Sequence, residues 1–272
     1  MLAQQTDVDW AERWRTLQSA RAGQARGGRP DFWDRRAPGF ALVPPPARPS
    51  EVLAFLEPWL QPSRTAIDVG AGVGRLAAAL AGRLRQVTAV EPSAGMRRHI
   101  PPRPNLTVLP GAWPCVAAGA ADLVICAHVL YGVQDPVRFI EKLEAAATQR
   151  VFIVMRDSPH THPAERLAQQ GRIAPPRLRE CFMLLRQLGI VPDVTMFTHP
   201  TLYYFASLEA AVEECRLSAG PGFDEQAARA FLAGSLQPGP DGALVYDGGP
   251  VTSGILHWQP KHASQAARGA EW

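Results

Sequence analysis

Apolar positions along this chain follow two spacings that alternate. Between residues 65 and 157, five short apolar runs occur: TAIDV (65–69), QVTAVEP (86–92), NLTVLPG (105–111), ADLVICAHV (121–129) and RVFIVMRD (150–157). Helical stretches separate them: GRLAAALAGRL (74–84), SAGMRRHI (93–100) and DPVRFIEKLEAAA (135–147). Ser93 and Asp135 stand at N-cap positions, and Pro136 at a first helical position. PRLRECFMLLRQLG (176–189) predicts a helix stopped by Gly189, and IVPDVTMF (190–197) and SGILHW (253–258) predict a sixth and a seventh strand. Strands this short and apolar, separated by helices, predict a mostly parallel sheet covered on both faces. Right-handed crossovers make it a doubly wound α/β fold of seven strands.

Two helical segments precede this core, around DWAERWRTLQSA and DFWDRRAPGFA, joined by the Gly- and Arg-rich RAGQARGGRP. PSEVLAFLEPWL follows, with Ser50 as N-cap and Val52, Phe55, Leu56 and Trp59 on one helical face. Between the sixth and seventh strands lies an insertion of about fifty residues. It contains two helical stretches, SLEAAVEECRL and DEQAARAFLAGSL, and ends in the turn-rich QPGPDGALVYDGGPVTSG.

The first strand runs into an unusual corner, AIDVGAGVGRLAAALA (66–81). A glycine costs about 0.5–1 kcal/mol relative to alanine inside regular structure, so three in five residues require a reason. Ligands of open parallel sheets bind beyond the carboxyl ends of the strands. Gly70, Gly72 and Gly74 form a turn there that a ligand can approach without meeting side chains, at a helix N-terminus. The spacing, G-A-G-V-G, differs from the G-x-G-x-x-G of dinucleotide folds. Glu91 ends the second strand, seventeen residues after Gly74, where an acid can accept both hydroxyls of a ribose.

The order Asp-x-Gly-x-Gly-x-Gly after a strand resembles the class I, Rossmann-like S-adenosylmethionine-dependent methyltransferases. The block ADLVICAHVLYGVQDPVRFIEKL looks like that family's fourth strand, loop and capped helix, and the resemblance covers residues 50 to 157. It implies S-adenosyl-L-methionine as cofactor, S-adenosyl-L-homocysteine as product, and a small organic molecule as acceptor at an O, N or C atom. It also implies roles: Asp68 organising the turn near the methionine ammonium, with Gly70, Ala71 and Gly72 close to that moiety and Gly74 completing the turn. Glu91 would hold the ribose, Pro92, Ala112 and Trp113 would border the adenine, and His128 would lie near the methyl sulfonium. Two positions depart from the family. Trp113 stands where many members carry an aspartate, leaving it a choice between stacking on adenine and packing in the core. Gly132 stands where many small-molecule members carry a histidine.

His128 is the candidate general base, or else a pocket wall, and Tyr131 on the same loop bounds the acceptor site or packs in the core. On the N-terminal helix, Trp33, Arg36 or Phe40 would close the cofactor site, and Arg36 would pair with the cofactor carboxylate. Tyr203 and Tyr204 precede the insertion, which would supply acceptor specificity. His160 and His162 share a loop without a third ligand and are read as solvated, so no metal is expected. The implied organisation is an N-terminal helical lid (1–49), a Rossmann-like cofactor-binding core (50–200), a helical cap insertion (201–250), a last core strand (251–260) and a flexible tail (261–272).

Composition narrows the class further. The net charge is +3, and 26 of the 28 basic residues are arginine, scattered without a dense block. That argues against nucleic acid as partner. No run of apolar residues is long enough for a membrane span, and the polar start lacks the order of a secretory signal, so a cytoplasmic location is expected. Cys115, Cys126, Cys181 and Cys215 show no metal-ligand spacing and read as reduced thiols in or near the core. The rival readings are an RNA or protein methyltransferase, a nicotinamide oxidoreductase, and a non-catalytic protein that keeps the cofactor fold. Oligomeric state leaves no mark on the sequence.

Overall fold

Side chains that alternate from face to face along the strands sort the core into two layers. In the computed structural model, which describes residues 8–22, 31–44, 50–167, 173–219 and 222–261, β1 (Thr65–Val69), β2 (Gln86–Glu91), β3 (Leu106–Pro110), β4 (Ala121–Ala127) and β5 (Ala147–Arg156) form a parallel sheet. Ile67, Val69, Val124, Cys126, Ile153 and Met155 pack on one face with α6 (Pro136–Ala146) and α8 (Leu178–Gln187). Ala66, Leu123, Ile125, Phe152 and Val154 pack on the other with α3 (Glu51–Leu56) and α4 (Arg75–Ala81). Side chains that alternate between two buried faces explain why these strands read as continuous apolar runs.

The strand order is β3-β2-β1-β4-β5-β8-β6, with β8 (Leu244–Trp258) antiparallel to both β5 and β6 (Asp193–Phe205). Among the described residues the sheet has eight strands rather than the seven expected, because the two-residue β7 (Gln237–Pro238) pairs with β8. The predicted turn-rich stretch is also corrected. Thr201–Phe205 and Leu244–Pro250 are the far halves of β6 and β8, which continue as one long hairpin past a register shift between Pro200 and Leu202. Thr, Leu, Tyr and Phe favour such a surface. The glycines mark a bulge and a close approach rather than a loop. Gly249 has φ +77, and a Cβ on Gly248 would meet Thr161 Oγ1 at 2.6 Å.

The expected helices of the insertion are α9 (Leu208–Ala219) and α10 (Glu225–Ser235), packed with α7 (Pro163–Leu167) over the outer half of that hairpin. α5 (Ala94–Arg97) is a single turn capped by Ser93. The two N-terminal helices part company. α1 (Trp10–Ala22) joins the α6–α8 face: Trp14 is 1% exposed and donates its indole N–H to Val133 O at 2.9 Å. α2 (Phe32–Leu42) lies instead against α5, β6 and α9. The connector between them and nearly all of the tail fall outside the described residues. Cys126, Cys181 and Cys215 are buried, and Cys115 is exposed.

Candidate cofactor and acceptor site

The three glycines of the turn have different jobs. Gly70, Gly72 and Gly74 take φ values of +73, +57 and +80, a region that L side chains enter at a cost. A Cβ on Gly70 would overlap Val129, and one on Gly74 would meet Ile100 Cγ2 at 2.7 Å, so these two permit packing. A Cβ on Gly72 would meet nothing within 4 Å. Open space therefore begins at Gly72, beside Glu91.

Glu91 is 5% exposed and spans the corner. Its Oε2 accepts from Gly72 N–H at 2.8 Å, and its Oε1 accepts from Ser93 N–H at 2.8 Å. Burial raises its carboxyl above the usual range, and the two backbone donors work against that rise. Asp68, 2% exposed, accepts from the backbone of Ala77 in the first turn of α4, where Gly74 offers no side-chain cap. Its Oδ2 is buried without a partner among the described residues. Burial pushes its carboxyl up to about 7, with the charge of Glu91 adding to the rise.

Helix α2 lies across this corner. Asp34 Oδ1 accepts from Gly95 N–H at 2.7 Å and from Ser93 Oγ at 2.5 Å. Gly95 permits the approach, since a Cβ there would meet Asp34 Cα at 2.8 Å. Arg75, the first residue of α4, donates to the carbonyls of Phe40 and Val43. At its other side α2 is held to α9. Arg36 donates to Glu214 Oε1 at 2.6 and 2.9 Å, and Arg35 to Glu213 Oε1 at 2.5 Å. Arg36 is thus engaged with the cap rather than free toward the turn. Trp33, 47% exposed, and Phe40 stand edge-on with ring centroids 6.2 Å apart, and the Arg36 guanidinium lies over both rings.

Trp113 is 8% exposed and donates its indole N–H to Phe139 O at 3.1 Å, with Lys142 Nζ over its ring. Its contacts are those of a core residue. Pro92 directly follows β2, and Ala112 lies two residues past the end of β3.

The strand ends of β4 and β5 carry a cluster of polar side chains. His128 has φ +60 and is exposed. Desolvation, and then the charges of Arg156 and His199, push it down to about 3, so it is neutral. Its Nδ1 lies 2.9 Å from Tyr131 Oη, which accepts from Arg156 N–H at 2.7 Å. Burial pushes the Tyr131 phenol up to about 12. Tyr131 is itself gripped from behind, its carbonyl accepting from Gln18 and Arg21 of α1. Arg156 Nη1 lies 3.0 Å from His160 Nδ1 and 3.4 Å from Tyr203 Oη. His162 is 6% exposed rather than solvated: Nε2 faces Glu214 Oε1 at 3.0 Å, and Nδ1 accepts from Ala164 N–H at 3.1 Å. That pair of contacts fixes a neutral tautomer that donates from Nε2. His160 is half-buried beside Tyr131, ring centroids 5.5 Å apart. Sequence spacing could not show that Arg156, Glu214 and Asp34 belong here. The one available signal is a charged residue closing an apolar strand at its carboxyl end, as in VMRD.

An open sheet of this order, with a glycine corner after its first strand and an acid ending its second, defines a class I S-adenosylmethionine-dependent methyltransferase. The chain belongs to the family described as "Methyltransferase domain", which matches residues 45–213. Among solved structures it is similar in fold to a candidate methyltransferase from Bacillus halodurans C-125, with a TM-score of 0.53, 14% identity, and coverage of 78% of this chain and 99% of that one. It also matches the YcgJ protein of Bacillus subtilis, at TM-score 0.49, 10% identity and coverage of 75% and 96%. A third match is magnesium protoporphyrin IX methyltransferase from Synechocystis PCC 6803 with bound SAH, at TM-score 0.45, 16% identity and coverage of 83% and 92%. No curated protein matches the chain significantly. Among the described residues, no helix is long and apolar enough to cross a membrane.

The residues present fit the cofactor. Asp68 offers a buried carboxylate oxygen without a partner among the described residues, Gly72 borders open space, and Glu91 keeps lone pairs beyond the two given to backbone. When bound, S-adenosylmethionine supplies an electrophilic methyl group on a sulfonium.

Proposed function

We propose that this protein transfers the methyl group of S-adenosylmethionine to a small organic molecule held at the polar cluster between His128 and Tyr203. The observation that carries this is the cap. The outer half of the β6–β8 hairpin, with α9 and α7, stands beside the cluster of His128, Tyr131, Arg156, His160 and Tyr203. A site walled by such a cap suits a metabolite better than a folded RNA or protein chain.

In this reading Asp68 and the Gly70–Ala71–Gly72 turn hold the methionine end, Glu91 holds the ribose, and Pro92 and Ala112 border the adenine. α2, carrying Trp33 and Arg36, closes over the site. His128 faces the acceptor as a neutral imidazole held by Tyr131. In-line positioning of the acceptor supplies most of the rate. The test is incubation with isotopically labelled methyl donor and a metabolite extract. Label in a low-mass product supports the proposal. Label in RNA or protein, or a strongly salt-dependent affinity for RNA, overturns it.

A further inference from the structure

We infer that the methyl acceptor is an anion, and that the Nε–Nη2 edge of the Arg156 guanidinium holds its carboxylate or phosphate group. This rests on the polar cluster being the acceptor site.

Arg156 is the last residue of β5 and half-buried, in the row of strand ends where ligands of open sheets bind. Tyr131 ties it to the end of β4, accepting from its backbone N–H and meeting His128 Nδ1. Among the described residues the guanidinium has only uncharged partners, His160 Nδ1 and Tyr203 Oη, and Nη1 makes both contacts. Nε and Nη2 have no hydrogen bond, and no carboxylate pairs with Arg156, among the described residues. The acid on the cap, Glu214, is taken by Arg36 and His162.

Arginine stays protonated under all physiological conditions, and a half-enclosed cation without a counter-charge is costly. What this fork lacks is two parallel acceptor oxygens, the arrangement a carboxylate or phosphate presents. The neighbouring histidines cannot supply the missing charge. Desolvation first, and Arg156 among the charges, disfavour protonation of His128, His160 and His162. An oxyanion on Arg156 completes the cluster.

The experiment splits a metabolite extract on an anion exchanger at pH 8. Each half is incubated with the protein and labelled methyl donor. Label confined to the retained half bears the inference out, and the accurate mass of the product distinguishes a carboxylate from a phosphate. With that acceptor, Arg156→Gln raises KM about 10–100-fold, Arg156→Lys is intermediate, and affinity for S-adenosylhomocysteine is unchanged, which also reports an intact fold. Label from the unretained half, or an Arg156→Gln variant with wild-type KM, overturns the inference and leaves the small-molecule reading standing. Label from neither half, with protein that binds S-adenosylhomocysteine, overturns the small-molecule reading and the inference with it.

Discussion

The Glu91 carboxylate bridges two backbone N–H groups, Gly72 at 2.8 Å and Ser93 at 2.8 Å, and so joins the turn after β1 to the start of α5. A carboxylate has about four lone-pair sites, so this one keeps room for two further donors. The same residue that shapes the corner can therefore grip a diol laid against it.

Replacing Glu91 with Ala is expected to weaken S-adenosylhomocysteine binding by about 2–4 kcal/mol, the worth of two charge-assisted hydrogen bonds. Titration calorimetry reads this directly. Wild-type affinity in the variant would remove Glu91 from the sugar.

The glycines separate stability from binding. Gly70→Ala forces a methyl into Val129 at φ +73, and is expected to cost about 2–5 kcal/mol from overpacking and backbone strain together. Gly72→Ala meets open space and pays the backbone cost alone, about 1–2 kcal/mol. In the proposed reading its methyl stands where the ligand approaches, so it should lose cofactor affinity at a small loss of thermal stability. A Gly72→Ala variant that binds normally would move the ligand away from this turn.

Asp68 gives the site a pH dependence. Its carboxyl, pushed up to about 7, is neutral below that pH and an anion above it. Only the anion attracts the methionine ammonium. Affinity for S-adenosylhomocysteine should rise about tenfold from pH 6 to pH 8 and be flat in Asp68→Asn. The sign for the ligand-free fold is opposite. An acid with a folded value above its unfolded one contributes stability that is lost as pH rises from about 4 through 7. The melting temperature of the wild type relative to Asp68→Asn should therefore fall over that range. A constant difference would deny Asp68 its raised value.

The parallel core was legible because alternating buried faces leave continuous apolar runs, and because Ser50, Ser93 and Asp135 announce the helices they cap. The outer hairpin was not. Gly248 and Gly249 signal a turn in isolation, and only the close approach of Thr161 shows that they permit strand packing. Local pattern also could not divide the N-terminal helices. Trp14 and Trp33 look alike in sequence, but one is buried behind Tyr131's loop and the other stands on the helix across the glycine corner. His162 reads as solvated until Glu214, 52 residues away, comes beside it.

Glu214 also sets two roles for Arg36 against each other. The sequence suggests that Arg36 pairs with the cofactor carboxylate, whereas the structure gives it Glu214, with side-chain exposures of 13% and 15%. Burial raises the Glu214 carboxyl, but the hydrogen bond from His162 and the Arg36 charge outweigh it, leaving it below the usual range. Breaking such a pair leaves one enclosed charge alone, so Glu214→Leu and Arg36→Met are each expected to cost about 3–5 kcal/mol of stability. Together they should cost far less than their sum, because the double variant leaves no orphan. If the pair is a latch between α2 and α9, both single variants release S-adenosylhomocysteine faster in stopped-flow, and to a similar degree. If Arg36 instead serves the cofactor carboxylate, Arg36→Met alone loses affinity and Glu214→Leu keeps it.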